Sequence, residues 1–503
     1  MTVLAYPMAA APGEARLWVG VTNCTKTPNV HFELDGAAHV PTAVRAMTSV
    51  RGGDLLTHES QPRVFSGVYK FSGLDSHGAS HSVRVRIGRD SAQATLASIP
   101  ESIPRDGLHV MLTSCFHVDE AGPGAVWRAV SALKQQCGLR KRPHFSLLMG
   151  DQVYLDLPIF KNYPKAKRPL AQILEAIYLR NWIGEQRGKH FDQILSAGPF
   201  LAMSDDHEFW NNFPHLSPII QNSWTETGHA NWTKAAKAMF SGFQACDPDS
   251  PARPIRIDLA EVSFLAIDTR IERSAEDNTF LPKGGLADLT AWVDDLNRRR
   301  QIGVLVTGQS LYSDSAGIVT GAIYDYEFPN YDDFDDVMQQ LVRVRSPLIC
   351  LTGDVHWGRV VQSRSRNPAR RGNVFEVITS PSALVTTAGK DSARGAFHSV
   401  TSFFGRANKW PRHSNPKERD LVPRAFANRT VWPTPYDHSV MRGRDRLRRN
   451  RPALIQGDQI ALLTFETVGA RRISAGVQYW SLDNQTHGPV MTVPLFDYAR
   501  PHT

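Results

Sequence analysis

From about residue 105 onward the chain repeats one pattern, in which a short apolar run ends in polar residues and a stretch with helical periodicity often follows. Short, continuously apolar runs are typical of strands that are buried on both faces. The runs span 108–114, 144–150, 199–204, 262–268, 302–308, 347–353 and 374–380, and amphipathic stretches span 124–136, 170–184, 234–243 and 286–299. This alternation predicts an α/β domain with largely buried strands.

The first hundred residues predict a different unit. Segments 15–23, 29–36, 64–74 and 81–88 carry apolar and β-branched residues, partly in alternation, with turn residues between them. We interpret residues 1–100 as a small N-terminal β-sandwich and 105–503 as the α/β domain. Residues 387–455 are rich in Gly, Pro and basic residues without clear periodicity, which predicts an irregular insertion. Segments 459–466, 473–480 and 491–496 predict strands that complete a sheet.

The overall charge of the chain excludes few classes of function. The excess of Lys and Arg over Asp and Glu, 57 against 49, gives a formal net charge of +8, a mild bias for 503 residues. An acidic segment at 325–336 and an arginine run at 442–451 are each typical of solvated loops, although the arginine run could hold an acidic partner or a phosphate. That run lacks interleaved aromatic residues, so nucleic-acid binding is not indicated.

The location of the chain is predicted from what the sequence lacks. No stretch approaches the ~20 apolar residues that span a bilayer. The N-terminus has neither a basic region nor twin arginines. The five cysteines are few, odd in number and widely spaced, which argues against a secreted disulfide framework. We therefore expect a cytoplasmic protein, of unknown oligomeric state.

Four predicted strand ends carry polar clusters. They are TSCFH with Cys115, MGDQVYLD with Asp151 and Tyr154, MSDDHEFWNN with Asp205, Asp206, His207 and Glu208, and LTGDVHWG with Asp354 and His356. Each cluster alone also fits an ordinary role, such as a buried inert thiol, a helix-capping carboxylate or a solvated loop. Ligand sites of α/β folds usually lie where such polar groups follow strands.

Taken together, these clusters predict bound metal ions. Asp354 and His356 are two residues apart and point the same way in an extended segment. Convergent carboxylate, imidazole, thiol and phenol groups need cations to offset their repulsion and desolvation. The mixed donor types suit one oxygen-rich site and one that also has thiolate and phenolate. A shared Asp could bridge two metals about 3.5–4 Å apart, a spacing that suits phosphoryl chemistry.

The motifs GDQVY, DDHE, DTRIER and LTGDVHWG resemble the alkaline phosphatase D (PhoD-like) branch of the calcineurin-like metallophosphoesterases. The resemblance covers about 105–385 and extends weakly to the N-terminal sandwich. It implies a two-sheet αββα core, a metal-dependent phosphomonoesterase or phosphodiesterase activity, and a small phosphate-ester substrate. Two departures concern the substrate pocket: Ser204 precedes the DDHE acids, and the expected Gln-and-Trp pattern survives only partly at 284–292.

The resemblance also implies roles for individual residues. Cys115, Asp151, Tyr154 and His356 would hold one metal, ferric iron, and Asp151 would bridge to a second metal held by Asp206 and Asp354. That second metal would be calcium, zinc or manganese. His207 would donate to the phosphate or the leaving group, and Asp205 and Glu208 would orient it. Arg270 would either pair with a carboxylate or reach the phosphate.

Two other classes of function remain as alternatives. One is a binding or docking protein on a catalytically degenerate phosphatase scaffold. The other is a hydrolase with a Ser or Cys nucleophile, for example Cys115 beside His117. No Gly-x-Ser-x-Gly elbow is present, and no phosphate-cradling Cys loop with Arg follows Cys115.

Overall fold

The computed structural model describes most of the chain. The described residues are 1–56, 58–74, 79–120, 122, 124–157, 162–183, 190–217, 220–311, 326–354, 358–365, 373–379, 382–383, 426–432, 458–469, 471–482 and 488–499. The predicted insertion at 387–455 and the arginine run at 442–451 lie almost entirely outside them. Among the described residues, no helix is both long enough and apolar enough to span a membrane.

The chain has a mixed α/β fold. The strands are β1 Thr2–Met8, β2 Glu14–Cys24, β3 His31–Leu34, β4 Ala37–His39, β5 Thr42–Ser49, β6 Arg63–Ser72, β7 His81–Ile87, β8 Asp90–Leu96, β9 Leu108–Thr113, β10 Phe145–Met149, β11 Phe200–Met203, β12 Ile255–Asp258, β13 Val262–Ala266, β14 Ile302–Val306, β15 Leu348–Thr352, β16 Arg359–Ser365, β17 Asn373–Ile378, β18 Phe426–Trp432, β19 Gln459–Val468, β20 Arg472–Ser481 and β21 Met491–Ala499. The helices are α1 Ala125–Gln135, α2 Lys167–Ile183, α3 Phe191–Leu195, α4 Glu226–Phe243, α5 Gly285–Arg299 and α6 Phe334–Leu341.

Each short apolar run of the α/β region overlaps with a strand in the structure, and each predicted amphipathic stretch overlaps with a helix. The apolar runs work as strands because their side chains are buried on both faces; all five residues of β10, β13, β14 and β15 are buried. The helices bury one stripe, as α5 does with Leu289, Trp292 and Leu296. The α/β prediction is confirmed at this level.

Two large sheets carry these strands. One has ten strands in the order β21-β20-β19-β9-β10-β11-β1-β2-β6-β5, and the other has seven in the order β12-β13-β14-β15-β17-β16-β18. Strands β9, β10 and β11 are mutually parallel in the first sheet, as are β13, β14, β15 and β17 in the second. The carboxyl ends of each parallel set therefore lie along one edge of its sheet.

The two sheets share a hydrophobic core. Phe145 of β10 packs edge-on against Phe264 of β13, with ring centroids 5.0 Å apart. Backbone hydrogen bonds connect the sheets beyond the strand ends, where Ser382, which follows β17, donates its N–H to the Ser114 carbonyl after β9 at 2.8 Å. The carboxyl ends of the two parallel sets thus meet in one region.

The N-terminal strands form two layers, one of which belongs to the large sheet. β3, β4, β7 and β8 make a separate four-stranded sheet. Its buried Val83 and Val85 belong to one cluster with Leu17 and Val19 of β2. However, β1 pairs with β11 through Met8 and Phe200, so β1, β2, β6 and β5 continue the ten-stranded sheet. The division into domains at 1–100 and 105–503 stays a prediction, and the sheet runs across that boundary.

Two glycines let the strand-end loops approach one another. Gly150, after β10, has a φ of +85°, and a Cβ there would overlap with Asp205 Cβ after β11. A Cβ at Gly353, after β15, would lie 2.5 Å from both the Met149 carbonyl and Ser114 Oγ. Any larger residue would therefore separate the ends of these strands.

We predict that Gly150→Ala destabilises the protein far more than Gly13→Ala. Both glycines have positive φ, but a Cβ at Gly13 would meet no atom within 4 Å. Gly13→Ala should cost only the left-handed strain of about 1–2 kcal/mol, whereas Gly150→Ala adds an overpacking cost of about 1–3 kcal/mol. Urea denaturation of both variants checks this, and equal losses would show that the loops need no close approach.

Candidate metal centre

Three residues that could bind metals occupy strained backbone positions, each two residues after the end of a strand. Cys115 follows β9 with a φ of 55°, Asp151 follows β10 with 58°, and Asp354 follows β15 with 62°. The left-handed region costs a residue with a side chain roughly 1–2 kcal/mol. Such strain concentrates at functional sites, where surrounding structure enforces it. The strand ends thus hold a thiol and two carboxyl groups in imposed orientations.

Four carboxyl groups converge at this point. Asp151, Asp205, Asp206 and Asp354 are buried, and each has an oxygen within 4.8 Å of an oxygen of the others. Three come from the ends of β10 and β11 in the ten-stranded sheet, and Asp354 comes from β15 in the other sheet. An overlapping set joins Asp151 and Asp206 to a ring nitrogen of His207 within the same limit. Asp151 and Asp206 therefore belong to both sets.

The crowding perturbs the acidity of these groups. Burial raises the pKa of Asp151 well above its usual range, and the charges of Asp206 and Asp205 raise it further. Burial also raises the pKa of Asp205 well above its usual range, although Arg270 opposes the shift. Without cations, these groups cannot all be ionised near neutral pH at a low energy.

His207 is held by a carboxylate that the sequence analysis did not single out. Its Nδ1 lies 2.7 Å from Asp156 Oδ1, and its ring lies 4.3 Å from the Tyr154 ring between centroids. Burial alone would lower the pKa of His207, but the negative charges of Asp156, Asp206 and Asp151 raise it well above the usual value. The cationic form, with a proton on each ring nitrogen, is thus favoured.

Glu208 connects the loops after β10 and β11. Its carboxylate accepts backbone hydrogen bonds from Asp151 at 2.9 Å, Gln152 at 2.7 Å and Asp205 at 2.9 Å. A carboxylate that accepts several N–H groups is a strong organiser of backbone. Glu208 thus holds the two aspartates in place, while Asp156 makes the hydrogen bond to His207 that we expected from Asp205 or Glu208.

Arg270 forms a buried ion pair behind the cluster. Its Nε donates to Asp205 Oδ1 at 2.6 Å and its Nη1 donates to the Phe213 carbonyl at 2.8 Å. Both side chains of the ion pair are completely buried. Of the two roles expected for Arg270, pairing with a carboxylate is the one that these contacts support. Asp268 accepts the backbone N–H of Arg270 at 3.0 Å and the Ser204 hydroxyl, which fixes the start of this segment.

The remaining predicted ligands divide into three cases. Cys115 Sγ lies 3.5 Å from Asp151 Oδ2, at the edge of the carboxylate cluster. The Tyr154 hydroxyl oxygen is buried and makes no hydrogen bond to the described residues. His356 lies outside the described residues, so its predicted role has no structural counterpart.

Three residues that contact the cluster were not predicted from the sequence, although two of them lie inside the quoted motifs. Asp156 ends MGDQVYLD, and Asn212, in MSDDHEFWNN, donates its backbone N–H to Asp206 Oδ2 at 2.6 Å. Gln309 follows β14, and its Nε2 lies 3.3 Å from Asp354 Oδ2. Gln309 follows the apolar run 302–308, and that position could have marked it as a residue of the site.

The donor set fits metal ions. Two buried oxygens, Tyr154 Oη and Asp205 Oδ2, make no hydrogen bond to the described residues, although buried polar atoms are normally satisfied. Carboxylate and phenolate oxygens with a nearby thiol are donors for di- and trivalent cations. Cations at the cluster would offset the repulsion between the carboxylates. They would also give the two oxygens a partner.

No protein-family model matches this chain, and no curated protein matches it. The geometry of the carboxylate cluster is therefore the main ground for assigning a function.

We predict that Arg270→Ala lowers the free energy of unfolding by about 3–5 kcal/mol, because it leaves Asp205 buried without its cation. Arg472→Ala is a suitable control, since the Arg472–Asp497 pair has both side chains more than half exposed and exposed pairs contribute little. Denaturation midpoints measure both effects. A loss for Arg270→Ala as small as that for Arg472→Ala would contradict the structural role of the buried pair.

We predict that the metal-free protein loses stability as pH rises. The folded-state pKa values of Asp151, Asp205 and His207 are raised, whereas unfolded Asp and His titrate near about 3.9 and 6.5. Their stabilising contribution is thus complete below the unfolded pKa and is lost as pH rises through the folded pKa. Melting temperatures between pH 5 and 9, with chelator present, measure the trend. Asp151→Asn should flatten it, and a trend that rises with pH would contradict the assignment.

Proposed function

We propose that this protein is a metal-dependent hydrolase of phosphate esters. The observation that carries the proposal is the buried set of four aspartates, which two sheets deliver and which shares Asp151 and Asp206 with a set containing His207. Buried carboxylates crowded in this way suit neighbouring divalent or trivalent cations, and paired metals are a recurrent solution for phosphoryl transfer. The motifs that resemble PhoD-like metallophosphoesterases supply these same residues.

The fold is compatible with the proposal. Two large sheets share a core, and helices contact them, including α1 on β19 and α5 on β13 and β14. We propose that this arrangement is the αββα core of the calcineurin-like metallophosphoesterases, with the polar strand ends at its active edge. A cytoplasmic location stays a prediction.

The described residues divide into two proposed metal sites. Asp151, Cys115 and Tyr154 would hold a ferric ion together with His356, and Asp206 and Asp354 would hold calcium, zinc or manganese with Asp151 as the bridge. Bound ions of this kind polarise phosphoryl oxygens and lower the pKa of a coordinated water. Glu208 holds the backbone of Asp151 and Asp205, and Gln309 Nε2 donates to Asp354 Oδ2.

His207 is the proposed proton donor. Its Nδ1 is engaged by Asp156, so Nε2 is the nitrogen that can give a proton to the leaving oxygen of the ester. Burial lowers the pKa of His207 and the charges of Asp156, Asp206 and Asp151 raise it; of these charges, that of Asp156 would remain when metals offset the other two. Asp156 fixes the orientation of the ring and stabilises its positive charge. Arg270 forms the buried ion pair with Asp205 and so helps to hold the loop that carries His207.

The test is hydrolysis of p-nitrophenyl phosphate and bis(p-nitrophenyl) phosphate by the full-length protein. We expect turnover of at least one ester, its loss after chelation, and recovery with iron plus calcium, zinc or manganese. Asp151→Asn should lower the rate by orders of magnitude while the protein stays folded. Retained turnover after verified metal removal would reject the proposal. A folded, metal-loaded protein that hydrolyses neither ester would favour the degenerate binding scaffold.

Asp156→Asn tests the role of His207 separately. Metal content should be unchanged, kcat should fall about 10- to 100-fold, and the alkaline limb of the pH–rate profile should move to lower pH because His207 loses its anionic partner. Asp497→Asn, at an exposed carboxylate, is the control and should leave rate and profile unchanged. Loss of metal in Asp156→Asn would instead make Asp156 part of the metal-holding framework.

A further inference from the structure

A second buried arginine lies close to the carboxylate cluster, three residues after Arg270. Arg273 is 4% exposed, and its backbone N–H donates to the Arg270 carbonyl at 3.0 Å, so both arginines belong to one turn after β13. Arg270 pairs directly with Asp205, which follows a strand of the ten-stranded sheet. The contacts of Arg273 connect it instead to Asp354, which follows a strand of the other sheet.

Hydrogen bonds and aromatic rings hold the guanidinium of Arg273. Its Nε donates to the Thr269 carbonyl at 3.0 Å, and its Nη2 donates to Gln309 Oε1 at 2.8 Å. The central carbon of the guanidinium lies 4.9 Å from the Tyr331 ring centroid and 5.8 Å from the Phe328 ring centroid. A cation is attracted to an aromatic face at such distances. These contacts together fix where the Nη2 donor points.

Gln309 connects Arg273 to Asp354. It is completely buried, and its Nε2 donates to Asp354 Oδ2 at 3.3 Å. The backbones on either side of this contact are also joined, because Gly353 donates its N–H to the Gly308 carbonyl at 2.8 Å. Two hydrogen bonds in series therefore run from a buried cation to a proposed metal ligand.

The guanidinium decides which way the Gln309 amide faces. A side-chain amide can turn over and exchange its oxygen and nitrogen, but a guanidinium has donors only. Arg273 therefore favours the orientation in which Oε1 faces it and Nε2 faces Asp354 and the Tyr326 carbonyl. In the reverse orientation, N–H groups would face N–H groups at Arg273, and the amide oxygen would face the Asp354 carboxylate. Both changes would leave buried polar groups without partners, which is costly.

We propose that Arg273 is a positioning residue for metal binding at Asp354 and that it acts through the Gln309 amide. A hydrogen bond to a ligating carboxylate fixes the orientation of that carboxylate, and partners of this kind affect metal affinity. The inference rests on the proposed function, which assigns Asp354 to the second metal. The turn at 270–273 thus supports carboxylates from both sheets, Asp205 through Arg270 and Asp354 through Arg273.

Calorimetric titration of the chelator-treated, full-length protein with Mn²⁺ tests the inference. We expect Arg273→Met and Gln309→Leu each to weaken the binding of one Mn²⁺ ion about 10- to 100-fold. The double variant should bind this ion no more weakly than the weaker single variant, because both substitutions break the same series of hydrogen bonds.

Arg51→Met is the matched control. Arg51 is also a buried arginine, but it pairs with Glu175 and contacts no residue of the carboxylate cluster. The variant should therefore lose stability and keep the Mn²⁺ affinity of the unmodified protein. Circular dichroism verifies that each variant is folded before it is titrated.

Two results would overturn the inference while the metal centre stands. One is unmodified Mn²⁺ affinity in folded Arg273→Met, which would limit Arg273 to packing between aromatic rings. The other is a double variant whose losses add, because Arg273 would then not act through Gln309. If Arg273→Met does not fold, Arg273→Lys takes its place, since a single nitrogen cannot reproduce the contacts with both Thr269 and Gln309. Absence of Mn²⁺ binding in the folded, unmodified protein would instead reject the metal centre, and this inference with it.

Discussion

The mutual repulsion of buried carboxylates is the constraint on which this structure depends. Asp151, Asp205, Asp206 and Asp354 lie within a few ångströms of one another in a water-poor interior. Arg270 offsets the charge of Asp205, and His207 offsets part of the remainder. The other charges require protons or metal ions. Protons are lost as pH rises, whereas bound metal ions would stabilise the ionised carboxylates across neutral pH.

The framework around the cluster opposes this repulsion. Parallel strands bring three aspartates to one edge and the second sheet contributes the fourth. Left-handed backbone at Asp151 and Asp354 fixes where their side chains point. Glu208 then secures the loops through backbone hydrogen bonds. Strain, hydrogen bonds and packing are thus combined to hold groups that would otherwise separate, which is typical of a preorganised site.

The sequence predicted the strands of the α/β region because continuous apolar runs have few other stable arrangements in a folded chain. It also identified most of the cluster, since polar residues that follow parallel strands must meet at one edge. It did not predict that β1 would join the ten-stranded sheet through Met8 and Phe200, because strand pairing depends on contacts remote in sequence. It missed the pairing of His207 with Asp156 because the nearby acids Asp205 and Glu208 make other contacts: Asp205 pairs with Arg270, and Glu208 accepts backbone N–H groups.

The central claim is that the aspartate cluster binds metal ions, and elemental analysis of the purified full-length protein tests it most directly. The account predicts about two metal ions per chain, including iron. It also predicts a visible absorption band from phenolate or thiolate bound to iron, and depletion of both metals in Asp151→Asn. A folded protein that contains no metal, and whose melting temperature does not change on adding iron, calcium, zinc or manganese, would contradict the account.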